Sequence, residues 1–114
     1  MSELTVLAEG LRFPEGPIAM ADGSVLLVEI ARGTLSRVQD GDISVVANLG
    51  GGPNGAAIGP DGQCYVCNNG GFLWIERGAR LYPGEEPENY SSGRIERVNI
   101  NTGEIEVLYT HCDG

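Results

Sequence analysis

Pro14-Glu15-Gly16-Pro17-Ile18-Ala19-Met20-Ala21-Asp22-Gly23-Ser24-Val25-Leu26-Leu27-Val28 returns further along the chain as Pro53-Asn54-Gly55-Ala56-Ala57-Ile58-Gly59-Pro60-Asp61-Gly62-Gln63-Cys64-Tyr65-Val66-Cys67. The displacement is constant at 39 residues, counted from Glu15 to Asn54, and Pro, Gly and Asp-Gly recur in register. Each copy reads as a short strand, a tight Asp-Gly turn and a second strand. A period near 40 with that content points to β-propeller blades. One chemically loaded change separates the copies. Glu15 stands where Asn54 stands, two oxygen-donor side chains at the same place in successive units.

Working outward, Val25-Leu26-Leu27-Val28 is a continuous apolar run, the pattern of a strand covered on both faces. Strands are expected at residues 16–21, 24–30, 34–39 and 43–49, the last two joined across the turn sequence Asp40-Gly41-Asp42. These four make a first blade over about 14–50. A second blade, over about 53–112, repeats the plan at 55–58, 63–68, 93–99 and 104–110. Gly33-Thr34-Leu35-Ser36-Arg37-Val38 aligns with Gly93-Arg94-Ile95-Glu96-Arg97-Val98, and Gly41-Asp42-Ile43-Ser44-Val45-Val46 with Gly103-Glu104-Ile105-Glu106-Val107-Leu108. Between its second and third strands the second unit carries about 21 extra residues, an insertion at 70–92 that contains the single Trp. Long loops on a rigid scaffold tend to carry specificity. The stretch 82–89 reads equally as an acidic excursion without order. Residues 3 to 8 are expected to form an edge strand.

The fold class is therefore all-β, two antiparallel four-stranded blades in one domain. Propeller rings need about four to eight blades, because each blade buries its faces only against its neighbours. Either the chain is the N-terminal part of a longer protein whose remaining blades lie beyond Gly114, or copies of it associate into a ring.

Composition narrows the partners. The 114 residues include 18 Gly and 6 Pro, and no long stretch of good helix formers. A net charge of −9 disfavours nucleic acid and anionic membrane, which would be repelled. The first residues lack the basic and apolar regions of a signal peptide, and no apolar run approaches the roughly 20 residues that span a bilayer. Three cysteines in no disulfide-framework spacing fit reduced thiols and a cytoplasmic location.

Glu15 and Asn54 stand just before the strands that would line a central channel, so both are expected at one mouth. A carboxylate and an amide carbonyl suit Ca²⁺ or another hard divalent cation. Ca²⁺ takes about six to eight oxygens, so two protein ligands are not enough and others would come from later blades and water. The competing reading is that both residues cap turns, Asn-Gly being a strong turn former. Other signals fail their own context. Gly50-Gly51-Gly52-Pro53-Asn54-Gly55 matches G-x-G-x-x-G, but Gly59-Pro60 prevents the helix that must follow. Cys64 and Cys67, three apart on a strand, face opposite sides and cannot share a zinc or a disulfide. His111-Cys112-Asp113 reads as an exposed loop rather than a triad. The sequon Asn89-Tyr90-Ser91 matters only in a secreted protein.

Phe13-Pro14-Glu15-Gly16-Pro17, Gly52-Pro53-Asn54-Gly55-Ala56 with Asp61-Gly62, Val66-Cys67-Asn68-Asn69-Gly70-Gly71-Phe72 and Gly93-Arg94-Ile95-Glu96-Arg97-Val98 together resemble the senescence marker protein / gluconolactonase / regucalcin-like family, as do Leu108-Tyr109-Thr110 and Cys112-Asp113-Gly114. The similarity runs over nearly the whole chain. It implies a six-bladed propeller with one divalent metal in the channel, most often Ca²⁺ but also Zn²⁺, Mg²⁺ or Mn²⁺. It also implies a small lactone or ester as substrate, hydrolysed with the metal's help. Glu15 matches the family's first metal-binding glutamate and Asn54 its second-blade channel asparagine. The other ligands, an asparagine and the aspartate that is the candidate base, belong to later blades, so this chain holds no catalytic residue of its own. Asn68, Asn69 and Trp74 are the residues expected to line the substrate pocket, the competing reading being an ordinary turn at Asn68-Asn69-Gly70 and a core or covering role for Trp74 and Phe13. Some relatives place a substrate-contacting arginine two residues before the second-blade asparagine, where this chain has Gly52. The alternative is a non-catalytic binding module in which three two-blade copies close one ring.

Overall fold

The apolar run at 25–28 becomes the second strand of the first sheet, and its neighbours follow from the turns that flank it. In the computed structural model, which describes residues 4–78, 80–85 and 92–110, the strands are β1 (Pro14–Ala19), β2 (Val25–Glu29), β3 (Thr34–Gln39), β4 (Asp42–Asn48), β5 (Pro53–Ile58), β6 (Cys64–Asn68), β7 (Trp74–Arg77), β8 (Arg80–Pro83), β9 (Arg94–Val98) and β10 (Ile105–Tyr109). No helix occurs among the described residues. One antiparallel sheet has the order β1-β2-β3-β4, the other β10-β9-β6-β5, and β7-β8 stand apart as a two-stranded hairpin. The second sheet is thus the first meander repeated, with the hairpin interposed between its second and third strands.

The same chemistry turns the chain in both units. Asp22 Oδ1 accepts from the Ser24 N–H at 2.9 Å, and Asp61 Oδ1 from the Gln63 N–H at 3.0 Å. Met20 N–H bonds Ser24 O at 2.8 Å, as Gly59 N–H bonds Gln63 O at 2.9 Å. These Asx-type turns set the register of β1 on β2 and of β5 on β6.

Strand alternation then decides what each sheet buries. Val28, Leu35, Ala47 and Leu49 of the first unit meet Cys64, Val66 and Val98 of the second in one core cluster. Leu26 and Val28 are fully buried on the face of the first sheet that meets the second. Leu27 and Glu29 point the other way. In the second unit the sense is preserved: Cys64, Val66 and Asn68, the counterparts of Val25, Leu27 and Glu29, face the first unit. The two sheets therefore pack front to back, the second meeting the first with the face that in the first sheet points away from the junction. The inner strands approach closely, so that a Cβ on Gly16 would lie 3.2 Å from the Ala56 nitrogen and 3.4 Å from the Gly55 Cα, and the outer turn at Gly103 comes against Val46 of β4.

Two expectations change. Residues 4 to 8 form no strand (residue 3 lies outside the described residues). This segment lies across the far face of β2 and β3, lining a cavity of about 240 Å³ with Val6, Leu7, Ala8 and Leu11 against Val25, Leu27 and Val38. That face presents side chains rather than free backbone groups, so there is no ladder to join. The insertion, read as loop, holds the β7–β8 hairpin with Trp74 opposite Pro83 and Ile75 opposite Tyr82. Of the stretch 82–89, Tyr82 and Pro83 lie in β8, and 86–89 fall outside the described residues. The sequon and the 111–114 tail fall there too. The Cys64 and Cys67 side chains do part, one buried and one exposed.

Candidate functional site

At the start of each inner strand the chain reads Pro-X-Gly, and the ladder slips there. In β5 the pairing passes from Pro53↔Asn68 to Gly55↔Cys67, leaving Asn54 as the extra residue. In β1 the shift falls between Glu15 and Ile18, and Gly16 takes φ of +57°. The bulge at Asn54 re-aims that side chain away from the ladder, whereas Glu15 still pairs with Val28 and the slip follows it. Glu15 and Asn54 are both exposed. Each directly precedes the glycine at which β1 and β5 come closest, so the carboxylate and the amide flank that contact at one end of the two sheets.

Trp74 belongs to the same end. Its ring lies 5.0 Å from that of Phe13, tilted at 49°, and 6.0 Å from that of Phe72, edge-on at 80°. Arg12 Nη2 adds a 3.1 Å ion pair to Glu76 on β7. The hairpin is therefore tied to Arg12 and Phe13, the two residues that lead into Pro14-Glu15. Phe13 is held at φ +58°, a left-handed value rare for an aromatic residue. Replacing Trp74 with alanine should free the hairpin: aromatic pairs of this kind contribute about 0.5–1.5 kcal/mol beyond area burial. Limited proteolysis should then cut faster at β7–β8 while the sheet cores keep their protection.

Asn68 is placed differently. It is buried, and its amide is spent inside the protein: Oδ1 accepts from the Gly52 and Gly70 N–H groups at 2.9 Å each, and Nδ2 donates to Gly50 O at 2.9 Å and to Glu96 Oε1 at 3.0 Å. Asn69 is half-buried, with Oδ1 accepting from Gly71 N–H at 2.8 Å and its own N–H bonded to Gly52 O at 2.8 Å. Both side chains lie under the 50–52 loop. A Cβ at Gly51 would come 2.5 Å from Asn68 Oδ1, and one at Gly52 would overlap the Asn69 amide oxygen. A side chain at position 52 would therefore have to displace Asn69. Glu15, Asn54 and Trp74 share one end of the sheets, then, whereas Asn68 supports that end from below.

Several residues of this support escaped the motif reading. Glu29 is fully buried and accepts from Arg12 N–H at 2.8 Å, Arg32 Nε at 2.9 Å, Thr34 Oγ1 at 3.1 Å and Ser36 Oγ at 2.5 Å. Burial alone would push its carboxyl up, but the Ser36 hydroxyl, the Arg12 N–H, the Arg32 guanidinium and the Thr34 hydroxyl together hold it below the usual range. Arg94 donates to Leu49 O at 2.7 Å and lies 3.3 Å from Glu96 Oε1. The 39-residue displacement already pairs Glu29 with Asn68, so the signal was present in the repeat.

Other chemistry stands elsewhere. A cavity of about 460 Å³ lined by Asp61, Gln63, Arg97, Asn99, Glu104, Ile105 and Glu106 lies beyond the opposite end of β5 from Asn54. Three of its charges are paired with one another, Arg97 with both Asp61 and Glu106, and Tyr65 donates to Asp61 at 2.7 Å. Burial pushes the Cys64 thiol up to about 11, so it is no thiolate nucleophile near neutral pH. Among the described residues no three His, Cys, Asp or Glu side chains cluster to hold a metal. A cation at the Glu15 end would rest on hard oxygen donors, one carboxylate and one amide, completed from outside this pair. No family model matches the chain, and no curated protein matches it.

Proposed function

We propose that the chain forms two adjoining blades of a β-propeller, and that Glu15 and Asn54 contribute to a divalent-cation site, Ca²⁺ first among the candidates, in a lactone or ester hydrolase of the gluconolactonase type. The observation that carries this reading is the flanking of the β1–β5 contact by two oxygen donors at matching positions of like sheets, each beside a slip of its ladder, at Asn54 in β5 and just after Glu15 in β1. The ring itself is supported by the preserved sense of packing. Val28 is fully buried by the following unit, whereas its counterpart Cys67 is exposed, on a face equivalent to one that is covered. A further unit of the same kind fits that face.

In such a site Glu15 and Asn54 orient a hydrated cation, which when bound supplies Lewis-acid stabilisation of a developing oxyanion. Trp74 and Phe13 supply an apolar wall beside it. The proton-transferring base comes from outside this chain's described residues.

The test is a Ca²⁺ titration of the full-length protein by calorimetry, with hydrolysis of a lactone panel measured with and without chelator. Glu15→Gln keeps the shape but removes the charge, and should weaken the cation by about tenfold or more, some 1.4 kcal/mol. Equal affinity in wild type and variant would exclude this site. The non-catalytic reading, a ring of three copies, predicts no turnover and a light-scattering mass three times that of the chain.

A further inference from the structure

We infer that Glu29 and Asn68 are a matched pair of positioning residues, one per unit, which fix where Glu15 and Asn54 stand. The inference rests on the cation-site reading for its purpose, but its geometry stands independently. The two residues are 39 apart, occupy the last position of β2 and of β6, and pair across the ladder with Pro14 and Pro53. Each is buried, and each sends an oxygen back to the backbone that leads into the Pro-X-Gly bulge. Glu29 Oε1 accepts from the Arg12 N–H at 2.8 Å, and Asn68 Oδ1 from the Gly52 N–H at 2.9 Å. Each clamp is doubled by an equivalent backbone bond, Ile30 N–H to Phe13 O at 3.0 Å and Asn69 N–H to Gly52 O at 2.8 Å.

Each clamp also has its own support on the third strand of its sheet, again at matching positions. Thr34 and Ser36 hold the second oxygen of Glu29; Arg94 and Glu96, their counterparts, hold the Leu49–Gly52 loop and the Asn68 amide. A left-handed step accompanies both, at Phe13 with φ +58° and at Gly51 with φ +59°. At Gly51 this conformation carries no steric penalty, whereas at Phe13 it is strained and persists where the surroundings over-determine it. Two polar clamps of different chemistry serving the same turn, directly beneath the two exposed donors, read as placement of those donors. A packing role alone would be met more cheaply by apolar side chains.

The experiment measures amide hydrogen exchange and backbone N–H order parameters by NMR in the full-length protein, with Ca²⁺ titration alongside. Asn68→Ala should raise exchange at Gly52 and Gly70 by tenfold or more and lower the order of the Asn54 N–H. Glu29→Ala should do the same at Arg12 and Glu15. Amides of the central strands, such as Leu27 and Val66, should keep their protection. Glu29→Gln, which retains an oxygen for Arg12 and a donor for Ser36, should restore wild-type behaviour at Glu15. If an alanine variant does not fold, Asn68→Asp replaces it: the isosteric carboxylate keeps Gly52 but repels Gly50 O and Glu96, and Asn54 should lose order. Unchanged order at Glu15 and Asn54, or loosening spread evenly over both sheets, overturns the inference. Absence of Ca²⁺ binding in the wild type overturns the cation reading, while the exchange data still decide the clamps.

Discussion

Leu35→Ala is expected to lower the unfolding free energy by about 2–5 kcal/mol, the range for deleting a buried leucine side chain. Leu35 has no exposed surface and sits in the cluster that joins the two sheets, between its ladder partners Val28 and Ala47. Opposite it are Val66 and Val98 of the second unit, held on strands that cannot move inward without breaking their own ladders. The cavity would therefore collapse poorly, which places the cost toward the upper part of the range. Domains of this size are stable by roughly 5–15 kcal/mol, so a large share of the total is at stake. Urea titration should show a lower midpoint with an unchanged slope. Val107→Ala, at a half-exposed position on the edge strand β10, should stay within about 0.5 kcal/mol of wild type. Equal effects at the two positions would mean that the sheets do not share a core.

Glu29→Ala should cost about 2–4 kcal/mol, since it removes four hydrogen bonds at once and leaves the Arg12 N–H without its acceptor. Its partner Arg32 is partly exposed and can return to water, which keeps the loss below that of a fully enclosed ion pair. The same network makes a pH prediction. The folded carboxyl titrates below its ordinary value of 4.5, so the folded state binds its proton less tightly than the unfolded chain does. The network's contribution is present above that ordinary value and is lost as pH falls through the lower, folded one. Stability should therefore decline in acid, and Glu29→Gln should shrink that decline. It will not abolish it, because Asp22, held by the Ser24 hydroxyl and N–H, and Asp61, held by the Tyr65 hydroxyl and the Gln63 N–H, also titrate below their usual value. An acid limb identical in Glu29→Gln and wild type would show that Glu29 is not charged in the folded protein.

Much of this was legible from the repeat. Asp22-Gly23 and Asp61-Gly62 announce turns by their own chemistry, and Val25–Val28 announces a strand covered twice, because both signals are local. The clamps were not legible in the same way. Glu29 in an apolar strand looks like a charge in the wrong place until Ser36, Thr34 and the Arg12 N–H arrive from elsewhere in the chain. Asn68, read as a pocket residue, is bound by groups 16 to 28 residues away. The β7–β8 hairpin was hidden because Trp74–Arg77 and Arg80–Pro83 are too short and too exposed for alternation to stand out.

By itself the sequence determined that the protein is built of two like units of antiparallel strands, each turned at Asp-Gly, with Glu15 and Asn54 at matching places. Those features follow from backbone preference and side-chain period, which act over a few residues. Tertiary structure alone decided that the two sheets stack in one sense, that Gly16 and Gly55 meet, and that Trp74 closes on Phe13. Those outcomes depend on which faces remain to be buried after the strands have formed, and on buried polar groups finding partners across long stretches of chain.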